Sequence, residues 1–216
     1  MKLSVMLEQL SSGMLRSMEI FFLTLIFSLP LGLLISFGRM SKNKILRTII
    51  KVYISVMRGT PLMLQLLVVY FGPYYLFGMQ IGGTYRFTAI ILGFALNYAA
   101  YFAEIYRSGI QAIPKGQYEA AKVLGFNRSQ TFFKIILPQV VKIITPSLGS
   151  ECMTLVKDTS LAHVIGVMEI YVVATNQMAR SRGMIYLVVA GIFYLIMNAI
   201  VSKVFSVIEK RMNYYR

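Results

Sequence analysis

The chain is 216 residues long, with 57% hydrophobic and only 14% charged residues. A soluble domain carries about a quarter charged residues, so the polar surface of a water-soluble globule is missing here. Basic residues outnumber acidic ones 22 to 8, and a single cysteine and a single histidine leave no internal disulfide and no histidine-rich metal cluster.

The first long apolar run, Ile20–Phe37, carries no charge and meets the length of about 18 residues that marks a spanning helix. Glu8 and Glu19 precede it where a cleavable leader would have basic residues. The expectation is a retained first span over about 17–38. Arg39, Lys42, Lys44, Arg47, Lys51 and Arg58 follow with no acid among them. Thr60 is an N-cap type and Pro61 suits a first helical turn, which predicts a second span over about 59–79 and makes Arg58 a topology charge just before it. Leu62–Tyr85 is uncharged, although Gly72-Pro73 interrupts it. Its aromatics Tyr70, Phe71, Tyr74, Tyr75 and Phe77 fit helix packing and an interfacial belt better than a gate. A third span is predicted over about 86–108, with Asn97 as a lone amide among apolar residues and Glu104 two turns beyond it.

A second basic group, Arg107, Lys115, Lys122, Arg128 and Lys134, surrounds the stretch "GQYEAAKVLGFNRSQTFFKIILP" at 116–138. Tyr118, Ala121 and Leu124 recur every three residues, giving a short helix one apolar face. Glu119 and Lys122 lie beside that face, close enough to interact. Gly125 suits the position after a helix C-cap, and Asn127 with Gln130 suits a capping box opening the next helix. The prediction is a short helix over about 115–125, a glycine hinge and a second helix. On pattern alone the short helix is either an interfacial loop helix or a helix that seats in a partner's groove.

A fourth span is predicted over about 130–156; Lys142 and Glu151 lie within it, and Pro138 and Pro146 bend it. Residues 159–179 are nearly long enough to cross, but Gly166 and Glu169 divide them into a short helix and an amphipathic segment. The fifth span, about 183–209, contains the uncharged run Met184–Ser202, and Lys203, Lys210, Arg211 and Arg216 close the sequence. Segments rich in Lys and Arg face the cytoplasm, which places the N-terminus outside and the C-terminus inside and requires an odd number of crossings. The class is therefore an all-α membrane protein, a single transmembrane domain of five spans over 1–216. Cys152 reads as a small apolar residue and His163 as a helix residue with an ordinary hydrogen bond.

Acids inside spans are costly and usually face a polar cavity or a partner. Glu151 and Asp158 are seven residues apart, nearly two turns, which sets both on one helix face about 10 Å apart. With Asn97 they form the candidate substrate-binding set: one carboxylate for an α-ammonium and another for a cationic side chain, which favours arginine, lysine or histidine. Two other readings compete. Asp158-Thr159-Ser160 is also a helix-capping run, and Lys142 or Lys157 is an alternative partner for Glu151.

"EAA" at 119–121 with Gly125 and "ILP" at 136–138 resembles the EAA motif of permease subunits of ATP-binding-cassette importers. "MRGTPLMLQL" (57–66), "AEIYRSGIQAIPKGQYEAAKVLG" (103–125) and "LVKDTSL" (155–161) are similar to the polar amino-acid branch of that family, which includes histidine, arginine and glutamine permeases. The resemblance implies a type I importer permease fold in the bacterial cytoplasmic membrane. It also implies import of polar, by preference basic, L-amino acids by alternating access. The EAA helix would sit in a cleft of a separate ATPase, with Glu119, Ala120, Ala121 and Gly125 as the contact residues. The implied partners are two ATP-binding subunits, a second permease that is identical or homologous, and an extracellular or periplasmic amino-acid-binding protein. The chain has no G-x-x-x-x-G-K-[ST] stretch, so ATP and Mg are expected on the ATPase, with no cofactor, metal or catalytic residue in this chain. Tyr98 and Ser150 depart from the family pattern, where a small residue and an asparagine are usual. The alternative is an ion-coupled secondary amino-acid transporter, for which matching discontinuous helices in two halves are expected. No second copy of any motif is present in the sequence.

Overall fold

The computed structural model describes residues 3–212, and they are almost entirely helical. The order is α1 (Leu3–Arg39), α2 (Lys44–Gly59), α3 (Leu62–Phe77), α4 (Gly83–Gln111), α5 (Lys115–Val123), α6 (Arg128–Gln130), a π-helical turn (Thr131–Ile136), α7 (Leu137–Asp158), a 3-10 segment (Thr159–Ile165), α8 (Ile170–Ser181) and α9 (Ile185–Arg211). Among the described residues four helical stretches are long and apolar enough to cross a membrane. The α2–α3 pair makes a fifth if it counts as one span bent by 110°.

The first helix starts at Leu3, well before the expected 17. Met6, Leu10 and Met14 recur every four residues and are buried, so an amphipathic stripe continues the helix where the hydropathy run has already ended. α1 packs most extensively on α4. Their approach is close because Gly32 faces Ala99 and Phe102: a Cβ there would stand 2.9 Å from Phe102 Cβ and 3.0 Å from the Ala99 carbonyl oxygen. Ala99, Ala100 and Ala103 are fully buried, in keeping with membrane helices that associate through small residues.

The helix ahead of the second crossing is the main element the sequence reading lacked. Asn43 caps α2 by accepting hydrogen bonds from the amides of Ile45 and Leu46 at 2.9 and 3.3 Å. Ile54, with Ile50, Tyr53 and Met57 around it, packs against Ile35, Ala100 and Ala103 of α1 and α4. Thr60 closes α2 rather than opening α3, because its amide and its hydroxyl both donate to the Val56 carbonyl. Pro61 then precedes α3, where its missing N–H costs nothing. The helix expected over about 59–79 is present as α3, and what the sequence reading did not contain is α2, a second helix of 16 residues that meets it at an elbow.

Beyond α4, Gly125 ends α5 at φ +77°. The Phe126 amide donates to the Ala121 carbonyl and the Gly125 amide to the Lys122 carbonyl, the Schellman pattern that favours glycine in the left-handed conformation. The Asn127 side chain accepts from the Gln130 amide, and the Gln130 side chain accepts from the Asn127 amide, completing the expected capping box. The π turn falls just before Pro138; there the Leu137 amide bonds five residues back to Phe132. A wide turn at this point accommodates a proline that can donate nothing to the ladder. Residues 159–179 are divided as expected, by Gly166 in the left-handed conformation and by Glu169 as the N-cap of α8.

Candidate substrate site and short connecting helix

The candidate site is assembled from the α2–α3 elbow, the middle of α4 and the second half of α7. Asn97 is buried in α4 at 4% exposure. Its amide nitrogen donates to the Met57 carbonyl at 3.0 Å and to Gln65 Oε1 at 2.9 Å. Gln65 in turn donates to the Met57 and Thr60 carbonyls and to the Thr60 hydroxyl. These bonds satisfy carbonyls that the break between α2 and α3 strips of helical partners, so Asn97 pins the elbow to α4. The structure does not bring the Asn97 amide onto Glu151 or Asp158.

The neighbouring residue makes that connection. Tyr98 is 2% exposed and its hydroxyl donates to Asp158 Oδ2 at 2.8 Å. Its ring stacks on Phe94 at 6.3 Å with planes 2° apart, and Phe102 and Tyr101 flank it at 6.1 Å. Tyr98 therefore holds the Asp158 carboxylate from across the bundle. Asp158 ends α7, and its side chain does not cap the 3-10 segment that follows. The Tyr98–Asp158 bond was not legible from spacing; the only sequence signal was a tyrosine where relatives have a small residue.

Glu151 is half-buried on the same helix. It makes no hydrogen bond or ion pair with any described residue, and the ion pairs among those residues are Arg16–Glu19, Arg39–Glu104 and Arg107–Glu104. Glu104 is thus engaged by two guanidinium groups, at 2.6 Å for Arg107 and 3.8 Å for Arg39. Arg58 stands at the elbow, just before α3, with its guanidinium 5.2 Å from the centroid of the Tyr101 ring. His163 makes the ordinary contact expected, Nδ1 to the Ser160 carbonyl at 2.7 Å.

Along α5, Glu119 and Ala120 are exposed while Ala121 is 1% exposed against its own chain. Gly125 lies in open space. Tyr118, Val123 and Leu124 remain 40%, 87% and 72% exposed. The apolar face expected at Tyr118, Ala121 and Leu124 is therefore split, with Ala121 turned inward and the larger side chains left uncovered.

Residues 28–214 match the family described as binding-protein-dependent transport system inner membrane component. The chain belongs to this family. It is similar to the L-cystine transport system permease protein of Bacillus subtilis, at 36% identity over 208 residues covering 95% of this chain and 87% of the relative. The arginine transport system permease protein of the same organism is 35% identical, with 93% of this chain and 90% of that one covered. A putative glutamine transport system permease protein of Rickettsia conorii is 34% identical, with 93% and 91% covered. A solved amino acid ABC transporter with histidines superposes with a TM-score of 0.84 at 34% identity, covering 94% of both chains. A methionine ABC transporter superposes at 0.70 with 18% identity over 99% of this chain and 100% of that one, which shows the shared type I permease fold alone. The protein is thus a multi-pass permease of the amino-acid ABC-transporter type, in the bacterial cytoplasmic membrane. Its family membership sets aside the ion-coupled secondary transporter.

Proposed function

We propose that this permease imports polar L-amino acids, by preference basic ones, by alternating access driven by a separate ATPase. The observation that carries the substrate reading is Glu151, a half-buried acid in α7 with no hydrogen bond or ion pair to a described residue. A charge within a span costs too much to be retained without a partner, and here a cationic substrate group supplies the partner. Asp158 stands on the same helix, oriented by Tyr98, and offers its remaining oxygen to a second donor. Asn97 enters the site through the elbow that it fixes.

The energy enters at α5. Its exposed Tyr118, Val123 and Leu124 with Glu119 and Ala120 suit a groove on a partner subunit, and the Gly125 turn and the capping box hold the helix at a fixed angle to α7. Two ATP-binding subunits carrying ATP and Mg, a second permease and an extracellular amino-acid-binding protein complete the proposed assembly. The basic segments set its N-terminus outside and α5 in the cytoplasm. Reconstitution with the ATPase and the binding protein in liposomes tests the proposal by uptake of labelled arginine, lysine, histidine and glutamine. Uptake should require ATP and favour the cationic substrates; uptake indifferent to ATP defeats the importer reading, and a preference for glutamine defeats the basic one.

A further inference from the structure

Between α5 and the start of α7 lies a cavity of about 470 Å³, lined by none of the candidate substrate residues. Its polar wall is Gln117 of α5, Lys134 of the π turn, and Gln139 and Lys142 of α7. Ile135, Pro138 and Ile143 form an apolar wall. No acid among the described residues lines it, so the side chains around it give it a net positive charge. Gln139 braces the cavity: its amide nitrogen donates to the Ile135 carbonyl at 2.8 Å and to Gln117 Oε1 at 3.4 Å. Gln117 accepts there through its oxygen, which leaves its own amide nitrogen to donate. The proposed topology sets this end of α7 at the cytoplasmic surface. Lys142 follows Leu137, the first residue of α7, by five positions, or about 7 Å along the axis. It is half-buried, while Lys134 is exposed. A lysine that near the end of a span carries its ammonium group back to the interface, the level at which the phosphates of the bilayer lie.

We propose that this cavity binds a phosphate ester, with Lys134 and Lys142 as its cations and the Gln117 amide as a neutral donor. Two carriers share that chemistry, an anionic phospholipid of the inner leaflet and a soluble phosphate compound. A phosphate presents oxygens on several sides, and a lysine ammonium binds it as a point charge that needs no fixed plane. Lysines beside the cytoplasmic leaflet are drawn to its anionic lipids. The apolar wall suits the glycerol and first methylenes of a lipid carrier, since Pro138 is exposed and Ile143 is 44% exposed. A phosphate held there would touch α5, the π turn and α7 together. It would add a second tie to the Gln139–Gln117 bond where α5 is joined to the span. Such binding needs neither substrate nor transport, so it stands apart from the importer proposal.

The test is equilibrium binding to the permease purified with its ATPase in a neutral detergent. The lipid probes are labelled phosphatidylglycerol and phosphatidylcholine, whose choline cation opposes the lysines; the soluble probes are labelled glycerol 3-phosphate and inorganic phosphate. A lipid carrier predicts that wild type binds phosphatidylglycerol at least about tenfold more tightly than phosphatidylcholine, with no displacement by the soluble probes. A soluble carrier predicts binding of glycerol 3-phosphate or inorganic phosphate that lipid leaves unchanged. Either result supports the site and names its carrier. Lys134→Gln combined with Lys142→Gln should weaken the bound probe by about tenfold or more, while Lys42→Gln combined with Lys44→Gln, a basic pair elsewhere, should stay within about twofold. Lys134→Arg combined with Lys142→Arg, which keeps the charge, should stay within about threefold. Wild type alone also locates the site: the bound probe should slow acetylation of Lys134 and Lys142, read by mass spectrometry, and leave Lys42 and Lys44 unchanged. Equal binding of the two lipids without binding of a soluble phosphate overturns the proposal. So does an absence of protection at Lys134 and Lys142, or an equal loss in the two glutamine pairs. Loss of the ATPase from the Lys134→Gln, Lys142→Gln variant at unchanged probe binding marks the cavity as a protein contact and overturns it as well.

Discussion

Two acids in this chain have opposite surroundings. Glu169 is fully buried, and its carboxylate accepts from the amides of Tyr171 and Val172 at 2.8 and 3.0 Å, from the Tyr194 hydroxyl at 3.1 Å and from Ser17 at 3.4 Å. It caps α8 and ties α1, α8 and α9 at one point. Glu151 is half-buried and accepts from no described residue. The same side chain thus serves once as a structural junction whose acceptor capacity is used and once stands with that capacity unfilled among the described residues, where the proposed function sets a substrate. Burial alone does not separate the two roles; the state of the hydrogen bonds does.

The largest effect is expected at the filled junction. Glu169→Ala leaves two amides and a tyrosine hydroxyl without an acceptor, at about 1–3 kcal/mol each, and should abolish the folded yield or lower the unfolding temperature sharply in detergent. Full yield and an unchanged transition would show that the junction is dispensable. Asn97→Leu comes next. If Asn97 belongs with Glu169 as a filled group, losing its bonds to Met57 and Gln65 should cost about 2 kcal/mol, lowering thermal stability for every substrate alike. A selective loss of one substrate at unchanged stability would move Asn97 to the open class. Glu151→Gln should do the reverse of Glu169→Ala: arginine or lysine uptake falls at least about tenfold while the unfolding temperature stays within a few degrees. The smallest change is Gly125→Ala, which forces a Cβ into the left-handed turn at a cost of about 1 kcal/mol. It should lower the ATPase rate stimulated by the permease more than it lowers thermal stability, since the turn sets the angle of α5.

Much of this was readable along the chain wherever the determinant was local. The turn at Gly125 and the box at Asn127 and Gln130 depend on residues within a few positions of one another, and both appear as expected. The split of 159–179 at Gly166 and Glu169 was equally local. The contacts that were missed span long separations. Asn97 reaches Gln65 across 32 residues and Tyr98 reaches Asp158 across 60, and no periodicity reports such pairs. The α2–α3 elbow was missed because hydropathy treats a span as a straight rod. The elbow exists because Thr60 turns back on Val56 and Pro61 has no amide with which to continue α2. The early start of α1 was hidden by the same averaging, since a one-sided stripe at Met6, Leu10 and Met14 does not raise the mean of a window.

The length of α1 has a consequence for the bilayer. Its 37 residues measure about 55 Å at the helical rise, against a hydrocarbon core about 30 Å thick. Its uncharged run, Ile20–Phe37, is about 27 Å long and matches that core, so the preceding turns carry the helix beyond it. Those turns are held by α8: Gly13 lies against the backbone of Ile170, and Ser17 donates to Glu169. α1 and α8 therefore form a bracket rather than two separate rods where α1 leaves the apolar core, and the 3-10 segment ties that bracket to the end of α7.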